Sequence, residues 1–164
     1  MLQTLRMSYQ KSPYFQAVFP LLEEILLSKE TNLSVLLHKQ FVSLYRYLDL
    51  KINFSLASEH HWRPATGSMQ RIISMCQDLK ATNYINPWNG QTLYSFQDFQ
   101  KHQLNLSFIR MKEHPYPQGN GDFIPSLSII DILMWNSIEQ IKESLGKYEL
   151  FSSQEELRKE NQPS

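Results

Sequence analysis

The spacing of apolar residues changes repeatedly along this chain, and that change constrains the fold more than any other feature of the sequence. Between residues 15 and 48 apolar side chains recur every three or four positions, which is typical of helices with one buried face. Two such helices are predicted, one beginning at Ser12 and one at Thr31 or Asn32. Residues 52–56 then alternate between apolar and polar side chains, which predicts a strand.

Two further strands are predicted, and helices separate them. The apolar face of one helix begins at Met69, and Ser95 caps another, while Tyr84-Ile85 and residues 104–108 are the strands. Helices at this interval favour parallel crossover connections over hairpins. The sequence therefore predicts an α/β fold that is rich in helix, with a small, mostly parallel sheet covered by helices on its faces.

The length and the polarity of the last residues suggest a simple organisation. A chain of 164 residues fits one domain of ordinary size, which we place at residues 1–150. Residues 151–164 are polar and show no periodicity, so we predict a disordered tail there.

The charge balance and the apolar content argue against several classes of partner. Sixteen basic residues equal sixteen acidic ones, so no overall field favours nucleic acid or an anionic membrane. No apolar stretch is long enough to span a membrane, and the first residues lack the apolar core of a signal peptide, so we expect a cytoplasmic protein. The single cysteine, Cys76, excludes an internal disulfide and a zinc site made of cysteines.

One carboxylate stands inside a very apolar segment. Asp131 is the single charged residue between Ile129 and Trp135, in a helix predicted to be buried. Burying an unpaired carboxylate costs several kcal/mol, so we expect Asp131 to be hydrogen-bonded, paired or beside a wet cleft. Either it satisfies the first turn of its own helix, or it contacts a ligand together with Ser128 on the same helix face.

The loop before that helix carries polar side chains that suit a binding site. Residues 114–126 are rich in proline and glycine, and a loop of this length is a candidate for function. His114 could act as a general base, and Tyr116 and Gln118 could orient a polar ligand. The alternative is that His114 is merely solvated and that the other two side chains tie down the loop.

Metal and cofactor sites are not indicated. His60 and His61 are adjacent, so their side chains diverge, and no second histidine or glutamate follows at helical spacing. Cys76 lies on the apolar stripe of its helix, which is typical of a core thiol. The glycine-rich motifs that bind nucleotides and the serine elbow of hydrolases are absent. We therefore predict neither a metal nor a cofactor.

Four segments together resemble the WbqC-like protein family of bacteria in their order and spacing. The most specific is residues 127–137, which begin Leu-Ser-Ile-Ile-Asp. The others are residues 9–15 with Ser12-Pro13, residues 84–94 with Tyr-Ile-Asn and a later Leu-Tyr, and residues 116–118, which read Tyr-Pro-Gln. The resemblance extends over roughly residues 1 to 150.

The resemblance implies a role in the biosynthesis of bacterial surface polysaccharide. Genes of that family are associated with clusters for the O-antigen of lipopolysaccharide, and aminoacyl transfer to amino sugars has been suggested for it. If this chain is active, we therefore expect a transferase whose substrate is a polar small molecule such as a sugar derivative. By resemblance, the positions that match the family's motifs are Asn86, Gly90, Tyr94, Tyr116, Gln118, Ser128 and Asp131, without assigned roles. We predict Asp131 and the loop residue His114 as catalytic residues, and the other six positions as substrate-binding residues.

The chain also departs from the family pattern. Asn89-Gly90 stands where the family has a glycine pair, and Trp88 lies beside it. The family opens with a Gln-Pro-x-Tyr-Leu-Pro-Trp motif and further strands that do not precede Met1, which suggests a truncated member. Such a member would expose a sheet edge that a second copy or a partner chain could cover. The alternative function is therefore a non-catalytic interaction module.

Overall fold

The computed structural model describes residues 1–160 and confirms a helix-rich α/β fold with a small sheet. The described residues form eight α-helices and three strands. The helices are α1 (Leu2–Tyr9), α2 (Phe15–Leu26), α3 (Leu33–Tyr47), α4 (Ser68–Asp78), α5 (Phe96–Lys101), α6 (Ile129–Trp135), α7 (Ile138–Leu145) and α8 (Gln154–Glu160). The strands are β1 (Asn83–Pro87), β2 (Asn105–Met111) and β3 (Tyr148–Phe151).

Contacts within the chain divide it into two compact units. The helical unit consists of Met1–Glu59 and Glu113–Gly146, and the sheet unit consists of His60–Lys112 and the described residues from 147 onward. Each unit has its own cluster of buried apolar side chains. The single domain predicted for residues 1–150 remains a prediction, because this division into compact units does not test it.

The helical unit contains α2, α3 and α6, which the sequence predicts as helices, and also α1, which the sequence did not predict. The stripe of α2 buries Phe15, Val18, Phe19 and Leu22 against Leu133 and other residues of α6 and α7. Asn32 begins its helix as predicted, whereas Ser12 does not cap α2, whose N-cap residue is Tyr14. The hydroxyl of Ser12 donates to the carbonyl oxygen of Tyr9 instead. The side chain of Asn32 accepts hydrogen bonds from the first turn of α3, and Ser137 with Gln140 forms a capping box on α7.

The sheet unit packs helices against three strands in the order β1, β2, β3. β1 and β2 are parallel, with Tyr84 opposite Leu106 and Asn86 opposite Phe108, as the intervening α5 requires. β3 runs antiparallel to β2, so the sheet is mixed. The side chains of Ile73, Phe99 and Phe108 are fully buried in this unit.

The strand predicted at residues 52–56 is wrong, because this segment pairs with no strand among the described residues. One of its apolar residues serves another purpose. The ring of Phe54 contacts three rings of α3, namely those of His38, Phe41 and Tyr45. Phe54 therefore packs onto a helix, whereas Ile52 is exposed.

The disorder predicted for residues 151–164 does not extend over the described part of that segment. Phe151 ends β3, and α8 follows, with Leu157 only 4% exposed in the core of the sheet unit. Burial of one leucine and the ion pair between Lys159 and Glu155 stabilise a helix whose sequence is otherwise polar. Residues 161–164 lie outside the described residues.

In the part of the chain that the structure describes, we find no helix both long and apolar enough to cross a membrane.

Candidate functional site

Asp131 is a buried carboxylate at the start of a short helix. Its helix, α6, begins after Ser128, whose hydroxyl accepts a hydrogen bond from the backbone N–H of Ile130. Asp131 lies in the first turn and is only 4% exposed, as the sequence predicts for the single charge of an apolar helix. A carboxylate buried to this extent needs hydrogen-bond donors from elsewhere in the protein.

The loop between β2 and α6 supplies two of those donors. The hydroxyl of Tyr116 donates to Oδ2 of Asp131 at 2.7 Å, and the amide Nε2 of Gln118 donates to the same oxygen at 2.9 Å. The structure therefore brings together three residues that the sequence singled out. Bonds to a charged acceptor are stronger than those between neutral groups, so this cluster fixes the loop against α6.

The orientation of Gln118 is set by the loop itself. Its Oε1 accepts from the backbone N–H of Ile124 at 2.7 Å, and its Nε2 donates to the carbonyl oxygen of Ile124 at 3.0 Å. Because both ends of the amide are engaged, the nitrogen must face Asp131. The ring of Tyr116 meets that of Phe123 edge to face, with 5.4 Å between the ring centroids.

Tyr9, at the end of α1, is a further neighbour of Asp131. Burial, followed by the negative charge of Asp131 and a hydrogen bond with it, raises the pKa of Tyr9 to about 12. Burial and the hydrogen bond with Asp131 likewise raise the pKa of Tyr116 to about 12. Both phenols therefore stay protonated at neutral pH, and each can donate a hydrogen bond to the carboxylate.

Ser128 and His114 are close in sequence to residues of this hydrogen-bonded cluster. Ser128 caps α6 and lines an apolar groove of about 360 Å³ between α2, α3 and α6, and Asp131 is not among the residues that line it. His114 is exposed in the loop that carries Tyr116. The bonds that reach Oδ2 of Asp131 come from Tyr116 and Gln118.

The remaining candidate residues form a second cluster, in the sheet unit. Tyr84 and Asn86 are two residues apart on β1 and therefore share one face of the strand. The hydroxyl of Tyr84 donates to Oδ1 of Asn86 at 3.1 Å, and Nδ2 of Asn86 donates to the carbonyl oxygen of Pro87 at 3.2 Å. Gly90 lies so close to this amide that a β-carbon at residue 90 would overlap Nδ2.

Tyr94 completes the second cluster through its contact with Tyr84. Their rings are 5.6 Å apart in an edge-to-face arrangement, and both pack on the buried ring of Phe99. Burial and the hydrogen bond with Tyr94 raise the pKa of Tyr84. The structure thus connects the three candidates Asn86, Gly90 and Tyr94 through Tyr84.

Tyr9 and Tyr84 were not among the residues that the sequence assigned to the site. A signal for both was available, because each lies in a segment that carries the family resemblance. Neither residue is unusual in its local pattern, so only its neighbours in space, Asp131 for Tyr9 and Asn86 for Tyr84, reveal its role.

Within residues 1–160 no three histidine, cysteine, aspartate or glutamate side chains lie close enough together to hold a metal ion. Cys76 is buried in the core of the sheet unit, and this burial raises the pKa of its thiol, which disfavours a nucleophilic thiolate.

Every residue of the two clusters comes from one of the four segments that resemble the WbqC-like family. The comparison with known proteins supports this resemblance. The model of the WbqC-like protein family matches residues 1–143. The chain belongs to this family. It is also similar to a protein of Mycobacterium tuberculosis (strain ATCC 25618 / H37Rv) described as "Uncharacterized protein Rv1507c", with 26% identity over 133 residues. That match covers 80% of this chain and 57% of the length of the mycobacterial relative. No solved structure is significantly similar.

Proposed function

We propose that this WbqC-like chain binds an amino sugar or a related polar small molecule at Asp131, and that it acts in the biosynthesis of bacterial surface polysaccharide such as O-antigen. The observation that supports the proposal is the convergence of Tyr116 and Gln118 on one oxygen of a buried carboxylate. A rigidly oriented carboxylate inside a protein is the kind of polar group that fixes the orientation of a small ligand.

The charge of the carboxylate selects the ligand class. The two donors that the hydrogen bonds to Asp131 show, the phenol of Tyr116 and the amide of Gln118, are both neutral, so these bonds leave its negative charge without a formal counter-charge. A protonated amine would supply both that charge and further N–H donors. An amino sugar therefore fits the carboxylate better than a sugar that has only hydroxyl groups.

The same arrangement suits acyl or aminoacyl transfer to the amine. The ammonium group would lose a proton to Asp131, and the freed nitrogen would attack the carbonyl carbon of an activated acyl donor. A new C–N bond forms, and the bond between the acyl carbon and its leaving group breaks. We assign His114 the role of a second proton acceptor, because imidazole is the commonest general base in enzymes. The chain would then be a transferase.

The candidate residues of the sheet unit are proposed, taken by themselves, to bind a polar small molecule. Asn86 and Tyr94 offer an amide and a hydroxyl, and Gly90 leaves the space that the amide of Asn86 occupies. Ser128, at the start of α6, is proposed to contact the substrate from the groove that it lines, and Asp131 is not among the residues that line this groove.

Binding to amino sugars tests the proposal directly. We expect glucosamine or its nucleotide-linked form to raise the melting temperature of the chain, because a ligand that binds the folded state at 100 times its Kd stabilises it by about 2.7 kcal/mol. Glucose, which has a hydroxyl in place of the amine, should have little effect. Nucleotide sugars without an amine and free amino acids complete the panel.

Two variants separate a ligand contact from a structural role. Asp131→Asn keeps the shape but removes the charge, and it should abolish the shift while costing about 1–3 kcal/mol of stability. Asp122→Asn, an exposed position in the same loop, serves as the matched control. Tyr116→Phe retains the carboxylate and should weaken the shift without abolishing it. An unchanged shift in Asp131→Asn would exclude this site, as would the absence of any shift in a chain that melts cooperatively.

A second candidate function is a non-catalytic interaction module. The specific observation is that β1 lies at an edge of the sheet, with Ile85 half exposed, so its outer backbone groups could pair with another strand. A second copy or a partner chain would then cover this edge. Light scattering of the purified chain checks the self-association: a dimer that Ile85→Lys converts to a monomer would support it.

A further inference from the structure

A cleft in the sheet unit has a lining that is polar and yet carries no charged side chain. It has a volume of about 520 Å³ and lies where β3 turns into α8, beside the first residues of β1 and β2. Its ten lining residues are seven amide or hydroxyl side chains and three apolar ones. No residue of the cluster around Asp131 lines it, and no residue of the second cluster, which surrounds Asn86, lines it either.

We propose that this cleft binds a neutral saccharide, as a site separate from Asp131. Small-molecule clefts in proteins have volumes of about 300–1,000 Å³, so the space suits one or two sugar rings. An anionic ligand would call for arginine, lysine or another cation, and a cationic ligand would call for carboxylates. The lining offers neither, which leaves an uncharged polar ligand.

The polar side chains of the cleft match hydroxyl groups in particular. Asparagine, glutamine and serine each both donate and accept hydrogen bonds, as every sugar hydroxyl does. Nδ2 of Asn105 donates to Oδ1 of Asn83 at 3.0 Å, which sets the orientation of both amides and leaves Oδ1 of Asn105 as an acceptor. The hydroxyls of Ser107 and Ser152 lie 2.8 Å apart, and only one of them uses its proton in that bond.

An apolar surface lies beside these polar groups, as the C–H face of a sugar ring requires. Phe96 lines the cleft, and its ring is held by an edge-to-face contact with Phe108 at 5.7 Å between centroids. Leu104 and Leu106, both buried, line the cleft as well. β3 pairs with β2 only from Phe108 onward. Among the described residues, no strand therefore pairs with the earlier part of β2 on this side, and the cleft occupies that position.

Nuclear magnetic resonance of the full chain tests the proposal. We expect saturation transfer to neutral methyl glycosides of glucose, galactose and N-acetylglucosamine, and shifts of the backbone amide signals of Asn83, Asn105 and Ser152. Glucuronic acid and glucose 6-phosphate should bind less well than the neutral sugars. Because Asp131 takes no part, Asp131→Asn should bind the neutral glycosides as the parent does, even if it loses amino sugars.

Substitutions in one helix provide a matched pair. Gln100 lines the cleft, whereas Gln97 lies in the same helix, is exposed, and does not line it. Gln100→Ala and Ser107→Ala should each weaken glycoside binding about five-fold, as loss of one hydrogen bond predicts, and Gln97→Ala should not. The proposal is overturned if tens of millimolar glycoside produce no saturation transfer, or if Gln100→Ala and Gln97→Ala bind equally well.

Discussion

The amide of Asn86 leaves no room for a side chain at residue 90. Its Nδ2 would overlap a β-carbon there, and Asn86 itself is fixed by Tyr84 and by the carbonyl oxygen of Pro87. The Asn-Gly pair that replaces the family's glycine pair therefore keeps the one glycine that this close approach requires. Position 89, by contrast, is exposed and accepts a side chain.

A comparison of two glycine variants tests this close approach. Gly90→Ala should lower the free energy of unfolding by about 1–3 kcal/mol, because Asn86 must move or its hydrogen bonds must break. A β-carbon at residue 121 would point into open space, so Gly121→Ala should be neutral or slightly stabilising. Urea denaturation measures both, and equal midpoints for the two variants would contradict the explanation.

At the scale of elements, the sequence predicts helices more reliably than strands here. The apolar stripe of α2 and the caps of α3 and α7 are local features, and the structure contains each of them. Strand pairing depends on residues far away in the chain. The alternation at residues 52–56 indicated a strand, yet Phe54 packs on α3, and the four residues of β3 are too few to show a period.

In the candidate site, too, local features were predictable from the sequence and contacts between distant residues were not. The hydrogen bonding of Asp131 was predictable because a lone charge in an apolar helix must be accommodated. Tyr116 and Gln118 were candidates because they lie in the polar loop that leads into that helix. The position of Tyr9 beside Asp131 was not predictable, because it depends on how α1 packs in the helical unit. The amphipathic pattern of α8 was hidden as well, because it has one buried residue, Leu157.

A substitution of Leu157 tests whether this side chain holds α8 against the core of the sheet unit. Leu157→Ala should cost about 2 kcal/mol or more, because it removes a buried side chain, and it should release α8 before the rest of the chain unfolds. Leu145→Ala, at a 43% exposed position, should change stability by less than about 0.5 kcal/mol. Limited proteolysis followed by mass spectrometry locates the cleavage. Equal protection of residues 154–160 in both variants would contradict the role of Leu157.

At the scale of the whole molecule, proton binding by tyrosine links the described clusters to stability. The fold raises the pKa of Tyr9 and Tyr116 to about 12 from an ordinary value of 10.0, and it raises that of Tyr84 as well. The folded chain therefore holds these protons more tightly than the unfolded chain does. Their contribution to stability is fully present below pH 10.0, where both states are protonated, and it is lost as the pH rises toward about 12.

The pH dependence of unfolding should therefore report on the Asp131 cluster. Between pH 10 and about 12, we expect the free energy of unfolding to fall with a slope that Tyr116→Phe makes shallower, because that variant removes one of the coupled protons. Tyr9→Phe should reduce the slope in the same way, and the double variant should reduce it further. Urea midpoints across this range, together with the ultraviolet absorbance of tyrosinate, measure the effect. If both single variants keep the parental slope, the raised pKa values do not belong to these two phenols, and the contact of Tyr9 and Tyr116 with the charge of Asp131 is contradicted.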